Sequence, residues 1–317
     1  MQTDCPPVLL LIYHRADLTQ QVFDRIRQAR PRRLFVAADG PRADVPGDDA
    51  QCAAARAAVR DVDWVCNVST LLRETNLGCR TAVATAISWF FEHVDDGIIL
   101  EDDCMPHATF FPYCAELLAR YRTDERVMAI GGNNFRAARA KRADKVRSSE
   151  VTSYTFAVHP QIWGWATWRR AWVHYDDSMM RWWQLRETNW VETFLAHAPA
   201  ARYWREVFER DARGEIDTWD FAWTFACWVN NGLTAHPAVN LVSNIGFDDR
   251  ALHTRNVASP LANVPARAIT FPLVHPPDVR RDVDADRFTA EFVHRVRLRT
   301  SPWRRALERV RTLLPPR

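Results

Sequence analysis

Gly97-Ile98-Ile99-Leu100-Glu101-Asp102-Asp103 is the stretch on which the fold turns. A short apolar run, bounded by a turn residue and by charge, reads as a strand buried on both faces, the habit of parallel sheets. Three acids in a row at the end of such a strand repel one another unless a cation or ligand compensates them. Open α/β sheets bind ligands beyond the carboxyl ends of their strands. The stretch therefore predicts both a fold and the place of a site, although an Asp-Asp pair read alone is equally a solvated acidic turn.

Working outward, the same rhythm recurs. Pro6-Pro7 precede a buried strand at Val8–Tyr13, and a helix over about Thr19–Ala29 sets Val22, Phe23 and Ile26 on one face. Further strands are predicted at Leu34–Ala38, Trp64–Val68 and Val127–Ile130, with helices at 48–60, Arg80–His93 and Phe110–Tyr121. Strand and helix alternating at this spacing predict an α/β fold: a Rossmann-like, mostly parallel sheet flanked by helices. After about residue 135 the rhythm changes. Residues 136–150 read as a polar loop, and 151–275 mix aromatic-rich helices with short strands. We divide the chain into a single domain over 1–278, with halves 1–135 and 136–278, and a basic helical tail over 279–317.

Composition removes several function classes. With 47% hydrophobic and 26% charged residues the chain is globular, and a net charge of +3 gives no case for nucleic-acid binding by bulk charge. Seven scattered Cys without a C-x-x-C argue against zinc ribbons and thioredoxin-like chemistry. The run Val8–Tyr13 is too short for a signal peptide or membrane span, so the expected location is the cytoplasm. No G-x-G-x-x-G follows the first strand, and no P-loop, G-x-S-x-G or H-E-x-x-H occurs. Eleven of the 14 Trp fall between Trp163 and Trp228, so the Trp excess is a regional signal rather than a general bias.

The residues then resemble a family. Ile98–Cys104 followed by Phe110-Phe111-Pro112-Tyr113-Cys114 is similar to the Asp-x-Asp region of GT-A nucleotide-sugar glycosyltransferases, of the N-acetylglucosaminyltransferase I type. Pro7–Ile12 with Arg15, and Val36-Ala37-Ala38-Asp39-Gly40, resemble its opening. Asn76-Leu77-Gly78, Trp163–Trp168 and Asn244-Ile245-Gly246-Phe247 resemble a bacterial branch. The likeness covers roughly residues 6–255. It implies an aromatic-rich acceptor half and transfer from a nucleotide sugar, most naturally a UDP-sugar, to a glycan or lipid-linked acceptor.

Carried over by position, the resemblance assigns Asp103 to a Mn²⁺ or Mg²⁺ ion and Glu101 and Asp102 to the ribose and sugar. Asp39 would accept from the uracil N3–H, or simply form an Asx turn. Arg15 would line the nucleotide site or form a salt bridge, and Asn76, Gly78 and Arg80 join that nucleotide-sugar set. An inverting transfer needs a general base, and Asp220 is the candidate with Asp217 behind it; helix capping is the alternative for both. His253 would complete the metal sphere or be an ordinary loop histidine. Trp163, Gly164, Trp165, Trp219, Asp248 and Asp249 are the candidate acceptor contacts, with part of the Trp cluster expected in the core. The amphipathic helix around Trp303, Arg304 and Leu307 could meet an anionic membrane or dock on the domain. Two other readings stay open: a nucleotidyltransferase acting on sugar phosphates, and a non-catalytic sugar-binding module.

Overall fold

The apolar runs pair side by side, and successive residues of each face different helical layers. The computed structural model describes residues 5–136, 152–251 and 256–296. Strands β1 (Val8–Ile12), β2 (Arg33–Ala38), β3 (Asn67–Leu72) and β4 (Asp96–Glu101) are parallel, in spatial order β3-β2-β1-β4. Leu9, Leu11, Phe35 and Ile99 face one core, which they share with α3 (Gly78–His93). Val8, Leu10, Val36 and Leu100 face the other, under α1 (Ala16–Ala29) and α4 (Phe110–Arg120). Burial on both faces is why these strands are continuously apolar rather than alternating. Helix α1 buries Leu18, Val22, Phe23 and Ile26 at helical spacing and stops at Arg30, whose left-handed backbone returns its N–H to the Ile26 carbonyl. Helix α2 (Asp48–Ala58) packs beside it.

The chain leaves β4 through the three acids into a short strand, β5 (Cys104–Pro106). Next in the main sheet come β6 (Val127–Gly131), β7 (Tyr154–Ala157), β8 (Trp165–Trp168) and β9 (Leu233–Pro237); β10 (Val242–Asn244) pairs with β5 instead. The result is an eight-stranded sheet, β3-β2-β1-β4-β8-β6-β9-β7, mostly parallel, with β8 and β7 running antiparallel to their neighbours. The fold is mixed α/β with helices on both faces. Ala166 pairs with Ile98 on one side and Ile130 on the other, so β8 stitches β4 to β6.

The structure departs from the sequence pattern in two places. The third strand lies at Asn67–Leu72 rather than Trp64–Val68, because the Trp64 indole donates to the Pro31 carbonyl (2.8 Å) and packs by Phe23. The true β3 is an edge strand with Val68 and Leu72 40% and 48% exposed, so it lacks the apolar run of a central strand. Second, Trp165, Trp168 and Trp172 have helical spacing, yet Trp165–Trp168 is extended and only α5 (Arg169–Trp172) is helical. The vacant position between β4 and β6 takes a strand there whatever the local period.

The tryptophans assemble the second half. Helices α6 (Met180–Leu185), α7 (Trp190–Leu195), α8 (Ala198–Ala212) and α9 (Asp220–Val229) cover one sheet face. Trp165, Trp168, Trp172, Trp182, Trp204, Trp219, Trp223 and Trp228 are all buried. The Trp excess is therefore mainly a core, with Trp165 stacked on Trp219 (5.5 Å) and Trp204 edge-on to Trp228 (4.8 Å). From the expected tail, α10 (Val283–Phe288) is described and packs at β7, where Asp286 accepts from the Val158 N–H (2.8 Å). The 136–150 loop beyond Arg136 and the stretch with Trp303, Arg304 and Leu307 lie outside the described residues. Among the described residues, no helix is long and apolar enough to cross a membrane.

His159 and His236 are buried under this layer, with the His159 carbonyl 3.0 Å from His236 Nε2. Burial pushes the His236 pKa down to about 4 and holds His159 well below its ordinary value. Both are neutral when folded, so their contribution is complete above about pH 6.5 and is lost as pH falls toward 4. His236 alone should remove about 3 kcal/mol of stability over that window. Urea unfolding from pH 7 to pH 4 should show this loss, and His236→Gln, which keeps a donor without titrating, should make it smaller, leaving the share of His159.

Candidate active site

The carboxyl ends of β1, β2 and β4 open onto a cleft of about 440 Å³, walled opposite by the 217–220 turn that starts α9. Glu101 is the last residue of β4, and Asp102 and Asp103 follow before β5 begins. Strand pairing with β1 fixes this chain end, so the three acids cannot spread apart. Asp102 and Asp103 are 4% and 6% exposed. Burial and the charges of Asp103 and Asp102 push the Glu101 pKa up to about 8. Burial raises Asp102 to about 6 even against the pull of Arg15.

Arg15 is the counter-ion. It stands just ahead of α1, where its carbonyl accepts from both the Thr19 N–H and hydroxyl, fixing its backbone. Its Nη2 reaches Asp102 Oδ1 at 2.5 Å and Asp103 Oδ2 at 2.8 Å. Burial opposes its charge, but the two carboxylates outweigh that and raise its pKa. Asp103 Oδ1 also accepts from Asn244 Nδ2 (3.3 Å) and the Cys104 thiol (3.4 Å). The segment after β10 closes over the pair. The Ile245 N–H bonds the Asp103 carbonyl (2.9 Å), and a Cβ on Gly246 would fall 2.1 Å from Asp103 Oδ2.

At the other end, Asp39 terminates β2. Its carboxylate accepts from the adjacent Gly40 N–H (2.9 Å), which is not an Asx turn because the residue two ahead is Pro41 and has no N–H, and also accepts from the Leu77 N–H and Asn76 Nδ2, each at 3.0 Å. Asp39 thus fastens Asn76–Gly78, the entry to α3, to the end of β2, and burial raises its pKa. The residues missed in the sequence cluster here. Tyr13 donates to the buried Asp48 (2.7 Å), Arg42 grips the same carboxylate (2.7 Å), and Arg42, Arg73 and His14 line the cleft. His14 lies two residues after β1 and Arg73 directly follows β3, so the strand-end rule could have found the first; misplacing β3 hid the second.

Asp217 and Asp220 face the acids from the opposite wall. Asp217 accepts from the Arg80 N–H (3.1 Å), capping α3 from a distance, and lines the cleft. Asp220 opens α9, accepts from the Thr218 hydroxyl, and its charge is felt by Glu101 and by the Cys79 thiol between them. The N-cap position belongs to Trp219 and carries no side-chain cap bond, so Asp220 sits in the first turn, where an acid suits the helix dipole, and lines the cleft as well.

Several expected contacts lie elsewhere. Arg80 does not line the cleft: its guanidinium binds Asp177 Oδ1 (2.6 Å), the Asp177 carbonyl (2.6 Å) and Asp211 Oδ1 (2.7 Å). Trp163 and Trp219 line the cleft, but Trp165 is 1% exposed beneath Trp219 and out of a ligand's reach. Gly164, at φ +67°, serves packing between strands, since a Cβ there would fall 2.7 Å from Val242 Cγ2. Asp248 pairs with Arg250 (2.7 Å), which bridges to Asp17; Asp249 is exposed, and neither acid lines the cleft. His253 lies outside the described residues. Among the described residues, no three His, Cys, Asp or Glu side chains converge as a ready-made metal site.

Asp211 is wholly buried, and burial raises its pKa to about 7 although Arg80 pulls the other way. Arg80→Met should therefore cost about 3 kcal/mol at pH 8, because a buried carboxylate loses its partner. Denaturant titration should find a smaller loss at pH 5, where the orphaned carboxyl takes up a proton. Comparison with protein-family models and with curated proteins finds no match to this chain.

Proposed function

We propose that the chain is a GT-A-type glycosyltransferase that moves a sugar from a UDP-sugar to a hydroxyl of a glycan or lipid-linked acceptor. The observation that carries this reading is the convergence of two acidic groups in one cleft. Glu101–Asp103 enter from the end of β4, and Asp217 and Asp220 enter from the opposite wall. A strand-end position suits the nucleotide-sugar donor, and the facing carboxylate suits the base that an inverting transfer requires.

In this proposal Asp39, Arg42 and Arg73 surround the nucleoside end, where all three line the cleft. Glu101 and Asp102 accept hydrogen bonds from hydroxyls of the ribose and the transferred sugar. Asp220, oriented by the Thr218 hydroxyl, takes the proton from the acceptor hydroxyl. That oxygen bonds to the anomeric carbon as the carbon–oxygen bond to the diphosphate breaks, and the nucleoside diphosphate leaves. Trp163, held edge-on between Phe135 and Phe247 (5.5 and 5.6 Å), offers an apolar surface to a sugar ring.

The reading includes a divalent cation. Asp102 and Asp103 present hard carboxylate oxygens of the kind Mn²⁺ and Mg²⁺ take, and a guanidinium already rests on both as a stand-in positive charge. The residues fit the ion once Arg15 gives way, with Asp103 as its principal holder. Bound there, it would neutralise charge on the leaving diphosphate.

Calorimetric titration of UDP with and without Mn²⁺ tests the proposal: binding should require the metal and vanish in Asp103→Ala. Asp220→Asn should keep nucleotide binding and lose about 10²–10⁴-fold in turnover with a screened UDP-sugar. Nucleotide binding that ignores Mn²⁺ would remove the metal from the proposal, and unchanged turnover in Asp220→Asn would remove the base.

A further inference from the structure

We infer that Arg15 is a tethered cation that closes the Asp102–Asp103 site in the nucleotide-free protein, and that a divalent ion enters only by displacing it. The inference rests on the metal-dependent reading above and adds to it a built-in competitor.

Geometry supports the exchange. One guanidinium nitrogen lies within 2.8 Å of an oxygen from each acid, the geometry of strong charge-assisted pairing. The Arg15 side chain is 13% exposed, enclosed on one side by the Gly246 backbone, whose carbonyl lies 3.5 Å from Nη1. The Arg15 backbone is pinned at the start of α1 by Thr19, so only the flexible side chain has to move. One positive charge is too few for the acids present. Glu101 has no side-chain hydrogen bond or ion pair among the described residues, and Asp220 stands close enough to oppose its charge. A divalent ion brings twice the charge of the guanidinium it replaces. The released guanidinium remains tethered at the cleft, where a diphosphate would present negative charge.

Competition of this kind is read from metal affinity, without turnover. In the full chain free of nucleotide, Mn²⁺ titration followed by the electron paramagnetic resonance of the free ion should show Arg15→Ala binding at least about tenfold tighter than wild type. Arg15→Lys should fall between them. Asp103→Asn should bind far more weakly than either. Arg15→Ala leaves two buried carboxylates without their counter-ion, so its metal-free Tm should fall, and saturating Mn²⁺ should raise its Tm more than that of wild type. Equal or weaker Mn²⁺ affinity in Arg15→Ala overturns the latch and leaves the proposed activity standing. Mn²⁺ binding unchanged in Asp103→Asn places the ion elsewhere, and with it falls the metal assignment on which the latch rests.

Discussion

Charge repulsion at the end of β4 is the constraint around which the rest of the molecule is arranged. A strand buried on both faces delivers Glu101, Asp102 and Asp103 to one place, and its ladder with β1 keeps them there. The surroundings answer that charge in layers. Arg15 comes from the start of α1, Asn244 and the Cys104 thiol bind Asp103, and the Gly246 backbone packs against the pair where no side chain would fit. Even so the Glu101 and Asp102 pKa values are both raised, first by burial and then by the neighbouring acids. A fold that keeps such a site is less stable there than an apolar equivalent would be.

The sequence made the first half of this legible for a physical reason. Strands buried on both faces are continuous apolar runs, so β1, β2, β4 and β6 stand out, and the acids after β4 are placed at a strand end by the same pattern. Asp220 was also reachable from its place at the start of a helix, whereas Arg15 was singled out only through the family resemblance. What escaped depends on contacts far apart in the chain. The partnership of Arg80 with Asp177 and Asp211 joins residues about a hundred or more positions apart. The β8 segment carries a helical spacing that only its two neighbours override. Asp39 shows a limit of a different kind. A nucleotide contact was a reasonable expectation, yet most of its hydrogen-bonding capacity goes to fastening the entry of α3.

The tryptophans teach the same lesson about composition. Their concentration between Trp163 and Trp228 suggested a binding surface, and most of them form a core instead. The region needs large side chains because four helices, two of them only six residues long, must fill the space above β8 and β6. Trp219 stands at the boundary, stacked on the buried Trp165 while its own edge meets the cleft. The buried aromatic layer thus meets the site at Trp219, next to the turn carrying Asp217, Thr218 and Asp220, while Trp163 lines the cleft separately.

The antiparallel strand β8 has a mechanical consequence. Because it is hydrogen-bonded to β4 on one side and β6 on the other, the strand that delivers the acids and the region that holds the facing carboxylates belong to one continuous slab. Opening the cleft by swinging one half away from the other would mean tearing a backbone ladder in the middle of the sheet. Such a molecule is stiff at the scale of its halves and compliant only at the scale of side chains and surface turns. A ligand entering the cleft would then be accommodated by movements of side chains and surface turns rather than by domain closure.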